Sequence, residues 1–563
     1  MLDLGSVPFS TFGSYFAFSL RDGALMLRSV HGNARYAEND ALCRIEMLQD
    51  GQIVPFRLAG VPHRLRLIAE GGTVEICFSA ADQIRIHGEK VGVRLTWTTD
   101  YFSHGWQHTP NRWQFDVFAP QIKVMVTALT GDCALASSWN ERRADQLVFD
   151  CTPNAGEFDL VIDPFDSVWS ARPVSDSFTG CAAQAHSAFD CWTHSLPAVP
   201  PEYAPTRELA AYVLWSCAVN PHGKITRQTL LMSKSWMASV WSWDHCFNAL
   251  ALANAYPDLA WDQFMTVFDH QDTFGALPDC VNDHHVTWSF VKPPIHGWTL
   301  RQLMQSPACV TPERLAHIYA PLARWTRFWF EHRDANGNGF PEYHHGNDSG
   351  WDNGTVFHGG VPVESPDVCA FLVLQLETLA ELAARLGDAD ATNRWRQQSA
   401  DLLTRMIAHF WHDDHFGAWR LDYGQMQRVE SPSLMLYLPL ILGSRLPSSV
   451  SRPLIERLRR EGELLTPHGL ASEPLDSLLY RDDGYWRGAV WGAPILLILD
   501  GLRDLGETEL ARTIARRFCA AVARSGMAEN FDAKTGMPLR DKAYSWTASI
   551  FLLIARDFVS NID

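Results

Sequence analysis

The sequence predicts a multidomain α and β protein: an antiparallel β-sandwich first, then an all-α domain of helical hairpins. Three observations carry this. At 563 residues the chain is longer than one ordinary core organises. Its hydrophobic period is close to 2 up to about residue 195 and close to 3.6 from about residue 206. Between them, Ser195 to Pro205 carries four prolines, which lack a backbone donor and disfavour helix before them. The expected units are therefore a β domain over 1–195, a linker over 196–205 and a helical domain over 206–563.

In the β domain, Thr73–Phe78, Gln83–His87, Val91–Trp97, Gln121–Val126 and Phe158–Ile162 alternate apolar and polar residues. Gly71-Gly72 and Asn154-Ala155-Gly156 supply turns between some of them. Short strands at close spacing suit a sandwich. No titratable cluster there reads as catalytic.

In the helical domain, Thr206–Val219 opens the series. Thr311 reads as an N-cap with Pro312 in the first turn of a helix reaching about Arg333. Ser365-Pro366 opens the next, to Leu386, with Gly387 closing it, and Asp388 or Asp390 caps another that ends near Trp411. Gly488–Leu505, Glu507–Ser525 and Asp541–Phe558 follow. About a dozen helices fit, with the polar, tryptophan-rich motifs in their connections, so a toroid with its site at one end is expected.

The net charge of −17 excludes nucleic acid and an anionic membrane surface as partners. Twelve cysteines without a CxxC pair read as buried thiols of a reduced compartment. The N-terminus shows no basic-then-apolar leader, and no run of about 18 apolar residues occurs, so a cytoplasmic protein is expected. Twenty-two tryptophans suit either a large aromatic core or a site that stacks flat rings on sugar faces.

The chemistry concentrates in a few stretches. In Asp348-Ser349-Gly350-Trp351-Asp352-Asn353-Gly354, Asp352 sits beside an indole, which favours its protonated form and suits a general acid; the plainer reading is a polar turn. In Trp241–Phe247, Trp243 suits the face of a sugar ring and Asp244 two hydroxyls, although Asp244 also suits a helix cap. Phe290–Trp298 is a stiff helix entry that brings Lys292, His296 and Trp298 forward as pocket candidates. In Tyr485–Gly492, Trp486 and Arg487 pack aromatics around one charge suited to a carboxylate or sugar oxygens. Glu529, in Met527–Asp532, is a second loop carboxyl. Inverting glycoside hydrolysis needs two carboxyls, one protonated and one ionised, and Asp352 with Glu529 is the expected pair. Asn353 joins the substrate-binding set as the carboxamide next to Asp352. Asp334, Asn336 and Asn338, with Gly339, match the opening of a calcium loop, but position 12 is His345. A polar turn is the first expectation there. A structural calcium with ligands from elsewhere is the second, and no cofactor is required for the chemistry.

Taken in order, Trp241–Phe247, Lys292-Pro293-Pro294, Ser349–Asn353, Tyr485–Trp491 and Glu529-Asn530 resemble glycoside hydrolase family 63, a relative of the trehalase and glucoamylase group. The resemblance covers about residues 206 to 558 and implies an (α/α)6 barrel that hydrolyses α-glycosides with inversion. By motif it makes Asp352 the general acid and Glu529 the general base. It makes Trp243, Asp244, Trp351, Trp486 and Arg487 sugar-site residues. Val7–Tyr15 looks like the start of the sandwich that precedes the barrel in some members. Two positions depart from the pattern: Gly354 stands where many members have Ser, and Lys292 where many have Gln. The expected substrate is a small carbohydrate, an α-glucoside of the oligosaccharide or glucosylglycerate kind. The alternatives are a phosphorylase on a similar barrel and an inactive sugar-binding protein.

Overall fold

A computed structural model describes residues 2–32, 40–174 and 177–560. The first part is two antiparallel sheets. One runs in the order Phe16–Arg21, Ala24–Ser29, Ala41–Gln49, Gly92–Trp97, Arg143–Thr152, Asp132–Asn140, with Gln52–Val54 also paired to the third strand. The other runs His104–Thr109, Arg112–Val117, Ile122–Thr130, Glu157–Phe165, Gln83–Glu89, Thr73–Ala80, Arg64–Ile68, Arg57–Val61. Alternation along these strands puts Ile76, Ile84, Ile86, Leu95, Val124 and Phe149 into one shared core, as period-2 patterning requires.

The β reading to residue 195 needs correction. The long strands end at Phe165, and Phe178–Ser195 is a helix, α1. Ser177 caps it by accepting the Gly180 N–H, and Phe178, Cys181, Ala182, Phe189 and Trp192 are its buried residues. That face is built partly from small residues, so its helical period is faint in the sequence. α1 packs on the strands Thr73–Ala80 and Gln83–Glu89 and on the next helix. The proline-rich stretch is also shorter than expected: Pro201–Tyr203 is a single 3-10 turn, and α2 already begins at Ala204 with Pro205 in its first turn, where no N–H is needed.

After α2 (Ala204–Cys217) come α3 (Asp244–Leu252), α4 (Pro257–Met265), α5 (His296–Leu303), α6 (Pro312–His332), α7 (Pro366–Arg385) and α8 (Ala389–Phe410). Then follow a kinked 3-10 segment over Leu434–Arg445, α9 (Ser448–Leu458), α10 (Gly492–Asp504), α11 (Thr508–Ser525) and α12 (Ser545–Ile554). The expected caps are present: Thr311 accepts the Arg314 N–H and Asp388 the Ala391 N–H. Contacts close a ring of α3, α5, α7, Leu434–Arg445, α10 and α12, the last back against α3. α2, α4, α6, α8, α9 and α11 pack outside it. Outer and inner members alternate along the chain, which is an (α/α)6 barrel. The inner helices are apolar nearly all round, as α7 and α12 show. Among the described residues, no helix is long and apolar enough to cross a membrane.

Candidate active site

The connections into the inner helices meet at one end of the barrel. Trp241 and Trp243 precede α3, and Lys292 precedes α5. Asn347, Gly350 and Asp352 precede α7, Tyr485, Trp486 and Trp491 precede α10, and Glu529, Tyr544 and Trp546 surround the entry to α12. They line one pocket.

Asp352 and Glu529 both line it, from connections distant in sequence. Asp352 is half-buried on a turn held from below. The Asp348 carboxylate is buried there and accepts the N–H groups of Val291 (3.0 Å), His344 (2.9 Å) and His345 (3.1 Å) and an Arg333 donor (2.8 Å). Gly350 follows with φ of 76°, and a Cβ there would lie 2.5 Å from the Trp243 ring, so both conformation and space require glycine. Trp351 is fully buried beneath the pocket, its ring 4.5 Å from that of Trp486, rather than lining the pocket itself.

Glu529 is buried, and its Oε1 accepts from the Tyr485 hydroxyl at 2.9 Å. Among the described residues, Oε2 has no hydrogen-bond partner. Burial pushes this carboxyl up to about 8, the Tyr485 hydroxyl opposes, and the negative charges of Asp541 and Asp244 add to the rise. The sequence placed a raised pKa on Asp352 because of its indole neighbour. For Glu529, which has no indole beside it in sequence, burial by the folded chain supplies the rise.

Asp244 is not the cap of α3. Trp243 holds that position, and Asp244 lies in the first turn with its carboxylate accepting from the Tyr544 hydroxyl at 3.3 Å. Burial pushes Asp244 up to about 7, with Lys292 opposing. Lys292 is buried too. Its ammonium pairs with Asp279 at 2.8 Å and donates to the Asn347 carbonyl at 2.8 Å and to the Asn347 side chain. The pocket walls are indoles: Trp486 and Trp491 stack at 3.9 Å and 4°, and Trp546 stands edge-on to both Trp491 and Trp243.

Besides Trp351, three more expected binding residues lie outside the pocket. His296, the first residue of α5, is fully buried away from the pocket, with Trp325 donating to its Nδ1 at 3.2 Å and His245 5.4 Å away ring to ring. The rigid helix entry turns it into the barrel interior. Asn353 joins two connections: its Oδ1 accepts the Trp486 N–H at 3.0 Å and its Nδ2 donates to the Gly484 carbonyl at 3.0 Å. Arg487 donates to the Asn353 carbonyl at 3.0 Å, gripping backbone where a carboxylate or sugar was expected. Tyr485, between these anchors, has φ of 62°, a left-handed conformation that an aromatic residue holds only when its surroundings impose it.

Sequence reasoning assigned no role to Tyr485, Tyr544, Trp491 or Trp546. Tyr485 and Trp491 lay inside a motif already singled out. Tyr544 and Trp546 carried one signal, two aromatics flanking the first residue of the last helix.

Residues 237–547 match the model of the mannosylglycerate hydrolase MGH1-like glycoside hydrolase domain, more than half of the chain. The chain belongs to this family. It is a glycoside hydrolase, and the likeness to glycoside hydrolase family 63 holds. A mannosylglycerate hydrolase of Rubrobacter radiotolerans is 22% identical, covering 55% of this chain and 89% of the relative. A glucosylglycerate hydrolase of Mycolicibacterium hassiacum is also 22% identical, covering 62% and 98%. The barrel resembles the glycoside hydrolase family 63 mannosylglycerate hydrolase of Thermus thermophilus in complex with glucose, with TM-score 0.56, 20% identity and coverage of 62% and 99%. A bacterial glucoamylase complexed with acarbose matches across both parts, with TM-score 0.64, 10% identity and coverage of 98% and 94%. The sandwich-plus-barrel layout of this MGH1-like glycoside hydrolase is thus shared with the glucoamylase.

Proposed function

We propose that the enzyme hydrolyses an α-glycosidic bond with inversion, on a small glycoside that joins glucose or mannose to glycerate. One observation carries the chemistry: Asp352 and Glu529 line the same pocket, and Glu529 keeps one carboxylate oxygen without a partner among the described residues. Asp352 gives its proton to the glycosidic oxygen as the carbon–oxygen bond breaks. Glu529 takes a proton from the water that forms the new bond on the opposite face, and exchange with solvent restores both carboxyls. Tyr485 orients Glu529, and Asp244 with the surrounding indoles suits the hydroxyls and faces of the sugar. The glycerate half rests on the relatives named mannosylglycerate and glucosylglycerate hydrolases.

The raised pKa of Glu529 favours a second reading with the roles exchanged, since a carboxyl protonated near neutrality is suited to be the acid. A phosphorylase would need an anion site in place of a base. The test is a panel of glucosylglycerate, mannosylglycerate and α-linked disaccharides, followed by proton NMR without phosphate. Fastest release from a glyceryl glycoside, with the β anomer appearing first, is expected. First release of the α anomer would mean retention, and a need for phosphate would mean phosphorolysis.

We also propose a structural calcium at the Asp334 loop. Its carboxylate accepts the Asn338 and Gly339 N–H groups, and the Asn336 and Asn338 carboxamides both reach Glu364 Oε1, at 2.8 and 2.7 Å. The buried Glu342 adds an oxygen, Oε2, with no partner among the described residues. Asn336 Oδ1 and Asn338 Oδ1 accept the Asn338 and Phe340 N–H groups, at 2.9 Å each, so a hard cation here would be held by the buried carboxylates of Glu342 and Glu364, with the loop folded over them. Calcium should raise Tm in the chelator-treated protein and leave the Asp334→Ala variant unchanged; equal responses would dismiss the site.

A further inference from the structure

Three connections bring imidazoles to one carboxylate. Asp283 is buried, and its Oδ1 accepts the Gly32 N–H at 2.9 Å. Its Oδ2 faces His31 Nδ1 at 2.6 Å, His222 Nδ1 at 3.4 Å and His284 Nε2 at 3.4 Å. The donor atoms of His31, His222 and Asp283 all lie within 4.8 Å of one another. Three imidazoles are more than one oxygen needs for hydrogen bonding. They suit the shell of a tetrahedral metal, in which ligand bonds of about 2.0–2.1 Å put neighbouring ligand atoms roughly 3.4 Å apart. The two longer contacts already have that spacing, and the His31–Asp283 hydrogen bond would open as the ion enters.

The cluster is built rather than loose. Tyr15 stacks on the His31 ring at 4.2 Å and 8°, and its hydroxyl donates to the Asn220 carbonyl at 3.0 Å. His222 and Ile225 exchange backbone hydrogen bonds, each 2.9 Å, and the Lys224 N–H holds the Asp283 carbonyl at 2.7 Å. Asn282 Oδ1 accepts the His284 and His285 N–H groups, fixing the turn that presents His284. Gly32 has φ of 75°, and a Cβ there would lie 2.7 Å from His284 Nδ1, so the ring packs directly over backbone. The side chains of His222 and His284 are 42% and 34% exposed against 1% for Asp283, which leaves an entry path to a buried anionic ligand.

We propose that His31, His222 and Asp283, with His284 as fourth ligand, bind a divalent transition ion of the zinc type and so staple the segment after the Ala24–Ser29 strand to the barrel. All-nitrogen-and-oxygen ligation with three imidazoles favours zinc over calcium or magnesium. His31 and His222 lie outside the residues matched by the family model, and the inference is independent of the glycosidase reading.

The test uses the full chain, free of any histidine tag and stripped of metal. Zinc titrated calorimetrically into the wild type should bind one equivalent at the cluster, and cobalt should give a visible spectrum without thiolate charge transfer. His222→Ala, at a partly exposed position, and His31→Ala should each weaken binding by more than the about 10–100-fold that loss of an outer partner costs. Asp283→Asn, which keeps the shape of the side chain, should do the same. Circular dichroism of each variant confirms folding. No zinc binding by the wild type at 100-fold excess, or variants that bind like the wild type, would overturn the proposal.

Discussion

Glu529 carries a conflict between function and stability. Its pKa is raised to about 8 in the fold from 4.5. Between those values the folded chain keeps a proton that the unfolded chain has lost, so the group's contribution to stability is full below about 4.5 and is lost as pH rises towards 8. A neutral amide of the same shape escapes that loss. Glu529→Gln should therefore abolish hydrolysis and yet raise Tm, by an amount that grows from pH 5 to pH 8. A lowered Tm at pH 8 would mean that the carboxylate is stabilised there by contacts stronger than the Tyr485 hydrogen bond. Asp352→Asn supplies the companion measurement. As the acid, Asp352 matters most for a poor leaving group, so its variant should keep more activity on an α-glycosyl fluoride than on the natural glycoside. Glu529→Gln should lose both alike. The reversed pattern would exchange the two roles.

At the scale of elements, the catalytic end is a set of loops clamped to one another. Asn353 is the clamp, with both ends of its carboxamide engaged by the Gly484–Trp486 backbone while its own carbonyl accepts from Arg487. Asn353→Ala frees the left-handed Tyr485 that orients Glu529. It should lower kcat about 5- to 30-fold, since removing a hydrogen bond that fixes a catalytic group costs about 1–2 kcal/mol, while leaving the far-UV spectrum unchanged. A change in KM alone would instead make Asn353 a sugar contact, as its sequence position suggested. Such clamps are where the sequence is least legible. The barrel helices were readable because caps such as Thr311 and Asp388 and a 3.6 period are local signals. The five runs picked out by alternation fall on observed strands, those from Val91 and Gln121 starting one residue early, because a half-buried sheet writes its period into the chain. α1 was missed because small residues blur its stripe. His296 and Arg487 were misplaced because residue type and neighbours do not say which way a side chain turns once the helix beside it is packed.

The whole molecule depends on the sandwich holding the barrel's first connection. Arg28, on the strand Ala24–Ser29, is buried. It pairs with Asp40 at 2.5 Å and donates to the backbone carbonyls of Lys234 (3.0 Å) and Ser235 (2.6 Å). Lys234 in turn sends its ammonium to Ser10 Oγ (3.1 Å), the Ser14 carbonyl (2.5 Å) and the Ala218 carbonyl (3.2 Å), so N-terminal residues and α2 close on the same segment. Met237, three residues on, lines the catalytic pocket, and the Ser233 N–H donates to its carbonyl at 3.0 Å. Arg28 therefore transmits the position of a β-strand to the pocket wall. Asp40→Ala leaves Arg28 buried without its carboxylate, a loss of about 3–5 kcal/mol where a buried pair is broken from one side. Arg21 also pairs with Asp40, but its side chain is 32% exposed, so Arg21→Ala should cost only about 0–1 kcal/mol. Thermal unfolding should thus fall far more in Asp40→Ala than in Arg21→Ala. Below its Tm, the Asp40 variant should also show a raised KM, because the Lys234–Met237 segment loses its grip. Equal Tm losses in the two variants would mean that Arg28 finds enough partners in the Lys234 and Ser235 carbonyls alone, and that the sandwich holds the pocket by backbone contacts rather than by this ion pair.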